Sequence, residues 1–324
     1  MRWTILLLAA ASVTGCGRKD EPGRPPTVAV EAGSAPAADA ARPDFPDVEP
    51  TSSPPEPTVK PGKGDCKVEY APKPTRDPNP MCKVPALKFR MGTDDPDKKR
   101  RKDKPAFEVE LSSYYIDQFE VTTDQIAHYL NTVKDNTCPG AINGCFCAKG
   151  CVPGDVELVD GRYVVVPGRT REPALHVSYE GARRYCAWAG KQLPTEAQWE
   201  ASARFDPKTS GTNDYPWGAQ DDPGRYADSA DVQPVGTFDG TAKPDGSSAL
   251  GVHDLAGNAS ERMAGCWSSY PLCTSPPCRD PAPASSEGCS GIQRSGTHIF
   301  ARSTTRSVYG YTARDGFRCA RPAP

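Results

Sequence analysis

Residues 65–324 are predicted to form one loop-rich domain that mixes short strands with a few helices. Three observations carry this expectation. The chain holds 29 glycines and 35 prolines, residues that interrupt regular elements and populate turns. Three short segments open with helix-start signals and continue with apolar residues at helical spacing. Phe107, Val109 and Leu111 alternate with Glu108 and Glu110, the period of a half-buried strand. About 260 residues suffice to bury a sizeable core in a single domain.

The elements follow in order. Residues 84–91 read as a strand that turns at Gly92, and the basic run from Lys98 to Lys104 reads as a solvated loop. Residues 107–111 make the next strand, and 114–121 follow it. Thr122 with Gln125 three residues on makes a capping box. Ile126, Tyr129, Leu130 and Val133 then share one helical face. Residues 139–169 read as a cysteine-stapled loop and hairpin. Ser178 opens a second helix whose buried stripe is Ala182, Tyr185, Cys186 and Ala189, and Gly190 ends it. Thr195 and Gln198 make a second capping box before a third helix that carries Trp199, Ala201 and Ala203. Beyond Arg204 little reads as regular structure.

Residues 1–15 combine Arg2, an apolar run from Ile5 to Ala11 and small residues. This is the pattern of a secretory signal, and the run is too short to span a bilayer. Val13-Thr14-Gly15-Cys16 resembles the bacterial lipobox, which implies that Cys16 is lipidated and becomes the first mature residue. An ordinary signal peptide with an incidental cysteine is the alternative. Gly17 rather than Asp follows Cys16, which favours the outer membrane over inner-membrane retention. Residues 16–64 form a linker rich in proline, alanine and acidic residues, with Phe45 its one aromatic. Such a segment buries too little apolar surface to offset its ordering entropy. Its ~48 residues would reach ~40 Å as a flexible coil and ~150 Å in polyproline form. The expected setting is a domain lifted off a membrane of the cell envelope.

Lys and Arg number 39 against 41 Asp and Glu, a net charge of −2, so no nucleic-acid footprint is present. Thirteen cysteines leave twelve once Cys16 is set aside. An exported chain meets an oxidising compartment, where disulfides are expected. Zinc is the competing reading for Cys145, Cys147 and Cys151, but no second CxxC and no nearby histidine completes four ligands. Cys66 and Cys82 form one group. Cys138, Cys145, Cys147 and Cys151 form a second, and Cys266, Cys273, Cys278 and Cys289 a third. Pairing is expected within each group, and the sequence leaves its pattern open.

Four motifs stand in order along the chain. They are HVSYEGARRYCAWAGKQLPTEAQWEASAR at 176–204, YPWG at 215–218, GVHDLAGNASE at 251–261 and DGFRCAR at 315–321. Together they resemble the sulfatase-modifying-factor family, that of the formylglycine-generating enzyme, from Val84 to Arg321. The resemblance implies an α+β domain related to the C-type lectin fold. It also implies that Cys186 and Cys319 pair; closing a loop of ~130 residues would contribute several kcal/mol in the chain-entropy model.

The resemblance further implies one structural calcium, held by the side chains of Asp254 and Glu261 and the carbonyls of Gly257 and Ala259. These are the hard oxygen donors that calcium takes. The alternative is that Glu261 caps or salt-bridges locally. The chain departs from the family here. Ser260, Arg262 and Met263 stand where it carries two tryptophans, which leaves the neighbouring groove wall without its usual residues.

The family's oxidase binds Cu(I) through two thiolates placed shortly after a motif like RGGS, because soft ligands select that ion. Here Arg294-Ser295-Gly296-Thr297 is followed by no cysteine before Cys319. Phe300 and Thr305 occupy the matching positions. A phenyl ring cannot ligate and a threonine hydroxyl is a hard, weak donor, so copper and formylglycine formation are not expected. Thr297, His298, Arg302 and Arg306, with Tyr309 and Tyr311 nearby, form a candidate groove for an anionic or peptide ligand. The competing reading is that these arginines tie loops together. The expected function is a non-catalytic binding or scaffold module on a lipid anchor, with a protein, peptide or glycan partner. A divergent oxidoreductase or protein-modifying enzyme is the alternative.

Overall fold

The computed structural model describes residues 63–324 except 73–75, 97–101, 139–144, 147–155, 229–230, 267–271, 274–275, 282–290, 295–302, 305 and 309–313. Of residues 266, 291 and 306–308 it describes the backbone. All lie in one unit that runs from Pro43 to Pro324.

The first strands are β1 (Cys66–Lys67), β2 (Met81–Val84) and β3 (Leu87–Met91). The single strand expected over 84–91 is therefore two, parted at Pro85, which has no N–H to give a ladder. Next come β4 (Phe107–Leu111) and β5 (Tyr114–Asp117). Val109 and Leu111 are buried while Glu108 is exposed, as the alternation requires. Helix α1 (Thr123–Val133) starts with the Thr122–Gln125 capping box and ends at Lys134, which takes the left-handed conformation. A hairpin follows, β6 (Val156–Val159) and β7 (Arg162–Val165), turning through Asp160 and Gly161, both at positive φ.

Helix α2 (Tyr179–Trp188) is capped by the Ser178 hydroxyl, and Gly190 follows it at φ +72. Helix α3 (Glu196–Arg204) carries the Thr195–Gln198 capping box. The last strands are β8 (Phe205–Asp206), β9 (Gly211–Thr212), β10 (Ser260–Cys266), β11 (Cys278–Arg279), β12 (Gly291–Arg294), β13 (Arg306–Val308), β14 (Asp315–Gly316) and β15 (Ala320–Pro322). Regular structure beyond Arg204 is thus sparse, as the sequence suggested, and consists mainly of short strands. These strands are short and irregular, and β10 carries a register break between Arg262 and Cys266, so they leave no clear period.

Three larger sheets organise the chain, in orders β1-β2-β5-β15, β13-β12-β10-β14 and β11-β4-β3. The C-terminal strand β15 pairs antiparallel with β5, so the end of the domain closes on its beginning. One part of the core packs strands β2 to β5 against α3, with Trp199 wholly buried at its centre. A second packs α1 against α2. There Tyr129, Tyr185 and Phe317 meet edge to face, at 5.4 Å and 5.3 Å between centroids.

Disulfides join Cys66 to Cys82, Cys138 to Cys145, Cys186 to Cys319 and Cys273 to Cys278. The first, second and fourth fall within the groups read from the sequence. Cys145 is thereby removed from the zinc candidates. The third ties the last turn of α2 to the C-terminal segment, wholly buried at both ends.

Candidate functional site

The loop from Gly251 to Ala259 and strand β10 meet the C-terminal segment around one guanidinium. Arg318 is fully buried. Its Nε and Nη2 donate to the two carboxylate oxygens of Glu261, each at 2.7 Å. Nη2 also donates to the carbonyl of His253 at 2.9 Å, and Nη1 donates to those of Asp117 and Gln118 at 3.2 and 3.3 Å. Trp199 adds its indole N–H to Glu261 at 2.9 Å. The loop conformation needs special backbone positions. Asp254, Gly257 and Asn258 all lie at positive φ. A Cβ on Gly257 would sit 2.0 Å from the carbonyl oxygen of Ala227, so glycine is required there.

A carboxylate not singled out in the sequence completes the cluster. Glu120 is wholly buried and accepts from the Asn258 side chain at 2.6 Å and the Ala259 N–H at 2.9 Å. Asp254 accepts from the Gly236 N–H at 2.8 Å. Burial first, then the neighbouring Asp254 and Glu261 carboxylates, hold Glu120 well above the usual carboxylate range. Burial also raises Asp254, against the pull of His253 and Arg318. Arg318 pairs with Glu261 and faces Glu120 and Asp254 through its charge alone, so the site is short of positive charge unless those acids keep their protons.

That shortage bears on the calcium ligands named from the sequence. Asp254, Gly257, Ala259 and Glu261 come together on one loop and its adjoining strand. Their oxygens are hard donors, and the surplus of carboxylate fits a divalent cation. Glu261 is shared, however, because Arg318 and Trp199 already hold both of its oxygens. Among the described residues no three His, Cys, Asp or Glu side chains converge to hold a metal by themselves, so such an ion would depend on the two carbonyls.

The position of the missing tryptophans is filled. Arg262 is buried, donates to the Val177 carbonyl at 2.6 Å and pairs with Asp315 at 3.0 Å. This ion pair links β10 to β14 beside their parallel register, Ser260 with Asp315 and Glu261 with Gly316. A buried salt bridge therefore stands at the position where the resemblance implied indole rings.

A second buried charge cluster joins α3 to β12. Arg294 is fully buried and pairs with Glu200 at 2.9 Å and Glu196 at 3.3 Å. Its Nη1 donates to the carbonyls of Ser303 and Thr304 at 3.3 and 3.2 Å. Glu200 also accepts from Arg204 at 2.6 Å and the Gly92 N–H at 2.7 Å. Burial opposes ionisation of Glu200, but Arg294 and Arg204 outweigh it and hold the group below its ordinary range. Arg294 therefore anchors the backbone at 303–304 to α3. Of the groove residues named from the sequence, Thr297, His298 and Arg302 lie outside the described residues, as do Phe300 and Thr305. Arg306 lies on β13, paired with Arg294, with its backbone alone described. Cys16 also lies outside.

Every cysteine with a described side chain is in a disulfide, and Cys319, which follows the groove segment, is bonded to Cys186. Among the described cysteines no thiolate pair is left to take Cu(I).

The residues that sequence reasoning passed over are Glu120, Arg294, Arg318, Lys191, Asp77 and Asp117. One signal was available for Glu120: an acid flanked directly by Phe119 and Val121 must find a partner if those neighbours carry it into the core.

Comparison with known proteins agrees with this architecture. Residues 67–323 match the model of the sulfatase-modifying factor enzyme 1-like domain. The chain is 30% identical over 227 residues to the formylglycine-generating enzyme of Bos taurus, covering 60% of this chain and 59% of that protein. It is 31% identical over 220 residues to the inactive Cα-formylglycine-generating enzyme 2 of Bos taurus, covering 57% of this chain and 70% of that one. In structure it aligns with PvdO from Pseudomonas aeruginosa at TM-score 0.56 and 25% identity, over 82% of this chain and all of that one. With the motifs in order and the model matched almost from Cys66 to the C-terminus, the chain belongs to the sulfatase-modifying factor enzyme 1-like domain family.

Proposed function

We propose that this chain is an envelope-anchored lipoprotein whose domain keeps the family fold for binding and does not convert cysteine to formylglycine. One observation carries the reading. After Arg294 the sequence contains a single cysteine, Cys319, and that sulfur is committed to Cys186. The reaction of the family's oxidase needs two free thiolates in that region. The family also contains a relative named as inactive, which supports a fold retained without this chemistry.

Cys16 carries the lipid anchor, and residues 16–64 act as its tether. Several acyl chains would hold it firmly, since each buried CH₂ contributes ~0.8 kcal/mol and two chains already suffice. Thr297, His298, Arg302 and Arg306 are the groove residues for an anionic or peptide ligand. Asp254, Glu261 and the carbonyls of Gly257 and Ala259 hold one structural calcium. What supports it is the crowding of Glu120, Asp254 and Glu261 around Arg318. The ion would supply charge balance to the loop and no chemistry.

The second reading is a divergent enzyme of the family. The relative named formylglycine-generating enzyme favours it. The chain covers less than two thirds of that protein, so its activity comes here only as a proposal. Binding is tested by comparing Arg302→Ala and Arg306→Ala with the parent in pull-downs from envelope extract. Loss of one specific partner at unchanged melting temperature is expected. Loss of stability alone would make these arginines loop ties and end the groove reading.

A further inference from the structure

A third buried charge cluster lies away from the candidate site, where the described domain begins. The Lys191 side chain is wholly buried between two carboxylates, with Nζ 2.8 Å from Asp77 and 2.7 Å from Asp117. Both acids are themselves wholly buried. The remaining oxygens are used as well. Asp77 accepts from the Gln125 side chain at 2.8 Å and from the Asn79 N–H at 3.0 Å. Asp117 accepts from the Cys319 N–H at 2.8 Å. Lys191 gives its own N–H to the Cys186 carbonyl at 2.7 Å. The cluster thus ties four pieces together: the segment that enters β2, strand β5, the turn after α2 and the C-terminal segment at the disulfide.

Its charges do not balance. Two wholly buried carboxylates face one ammonium, and among the described residues the elements packed around it add no free cation. From α1 come Gln125, which is neutral, and His128, whose pKa burial lowers against the pull of Asp124 and Asp77. From α2 comes Tyr185, a phenol that burial, with Asp77 and Asp117 beside it, keeps in its neutral form. From the C-terminal segment comes Arg318, whose guanidinium reaches the Asp117 carbonyl but is paired with Glu261. A lone surplus negative charge in such a place is costly unless a proton neutralises it.

We propose that the Asp77–Lys191–Asp117 cluster holds one exchangeable proton and is a built-in pH-sensitive clasp, which loosens the β2 approach and the C-terminal segment when that proton leaves. The group that gives up its charge is Asp117. Burial first, opposed by Lys191 and reinforced by Asp77, pushes its carboxyl up to about 7. Burial also works against the charge on Lys191, but the two carboxylates outweigh it and keep the ammonium. The sign follows from linkage. A carboxyl raised from 3.8 to about 7 binds its proton more tightly in the folded chain than in the unfolded one. Its contribution to stability is complete below the ordinary aspartate range and is lost as pH rises through neutrality. The clasp is closed in mildly acidic surroundings and weakened in alkaline ones.

The test is carbon-detected NMR of aspartate carboxyls in the full chain, titrated from pH 5 to 9, with amide exchange protection read at Asn79 and Cys319. The expected result is a carboxyl midpoint near 7, with protection at both amides falling above it. Asp77→Asn removes the like charge, so the midpoint should drop by about one unit or more. Asp117→Asn should abolish the titration and make protection at Cys319 independent of pH. A wild-type chain with no carboxyl titrating between pH 5 and 9 would overturn the proposal, whether or not the variants fold. So would a midpoint that Asp77→Asn leaves in place. A merely structural cluster would lose stability in these variants without moving any midpoint.

Discussion

Replacing Arg318 with methionine should be among the most damaging single changes in the domain. The side chain makes hydrogen bonds to both oxygens of Glu261 and to the carbonyls of His253, Asp117 and Gln118. Methionine keeps much of the volume and none of the donors. Glu261 is left buried with the Trp199 indole N–H as a donor, beside Glu120 and Asp254 and without a cation. Breaking a buried pair in this way costs about 3–5 kcal/mol. For a domain of this size each kcal/mol lowers the melting temperature by about 2–4 °C, so a fall of about 6–20 °C is expected. The assay is denaturant and thermal unfolding under non-reducing conditions, with chelator present so that no metal compensates. The double variant Glu261→Gln with Arg318→Met should recover part of the loss, because no uncompensated charge remains while the three carbonyls still lack their donor. A single-variant cost below about 1 kcal/mol would refute the reasoning. It would mean that Glu261 is not held by Arg318 in the folded chain.

Two further outcomes follow. Chelation should lower the melting temperature of the wild type, and Glu261→Ala should abolish that dependence; a wild-type curve unmoved by chelator, with no calcium by elemental analysis, would reduce Glu261 to the partner of Arg318. Replacing Cys186 and Cys319 by serine together should cost about 4–5 kcal/mol in the chain-entropy model for a loop above 100 residues, read by denaturant unfolding; recovering either as a free thiol in exported protein would remove this linkage from the account.

What was legible in the sequence was local. Thr122 with Gln125 and Thr195 with Gln198 lie three residues apart, so a capping box is written within a single turn, and both form in the structure. The same holds for the alternation in β4. The order of the four motifs was enough to name the family. The electrostatic cores were not legible, because their partners are far apart in the chain. Lys191 meets Asp77 across 114 residues and Asp117 across 74; Arg318 meets Glu261 across 57 and the Asp117 carbonyl across 201. Nothing near any of these residues says which charge it will face. The Arg262–Asp315 pair makes the same point from the other side. The sequence showed only that both tryptophans are missing, and the parallel register of β10 with β14 is what brings Asp315 to Arg262.

The central claim is that this domain keeps the family fold without the family's oxidation of cysteine. The most direct measurement is to load the purified domain with copper, incubate it with a peptide carrying the sulfatase cysteine motif and look for aldehyde by mass spectrometry. No formylglycine is predicted, since Phe300 and Thr305 stand at the thiolate positions and Cys319 is bonded to Cys186. Repeated turnover would contradict the account and would require a copper site elsewhere among the cysteines.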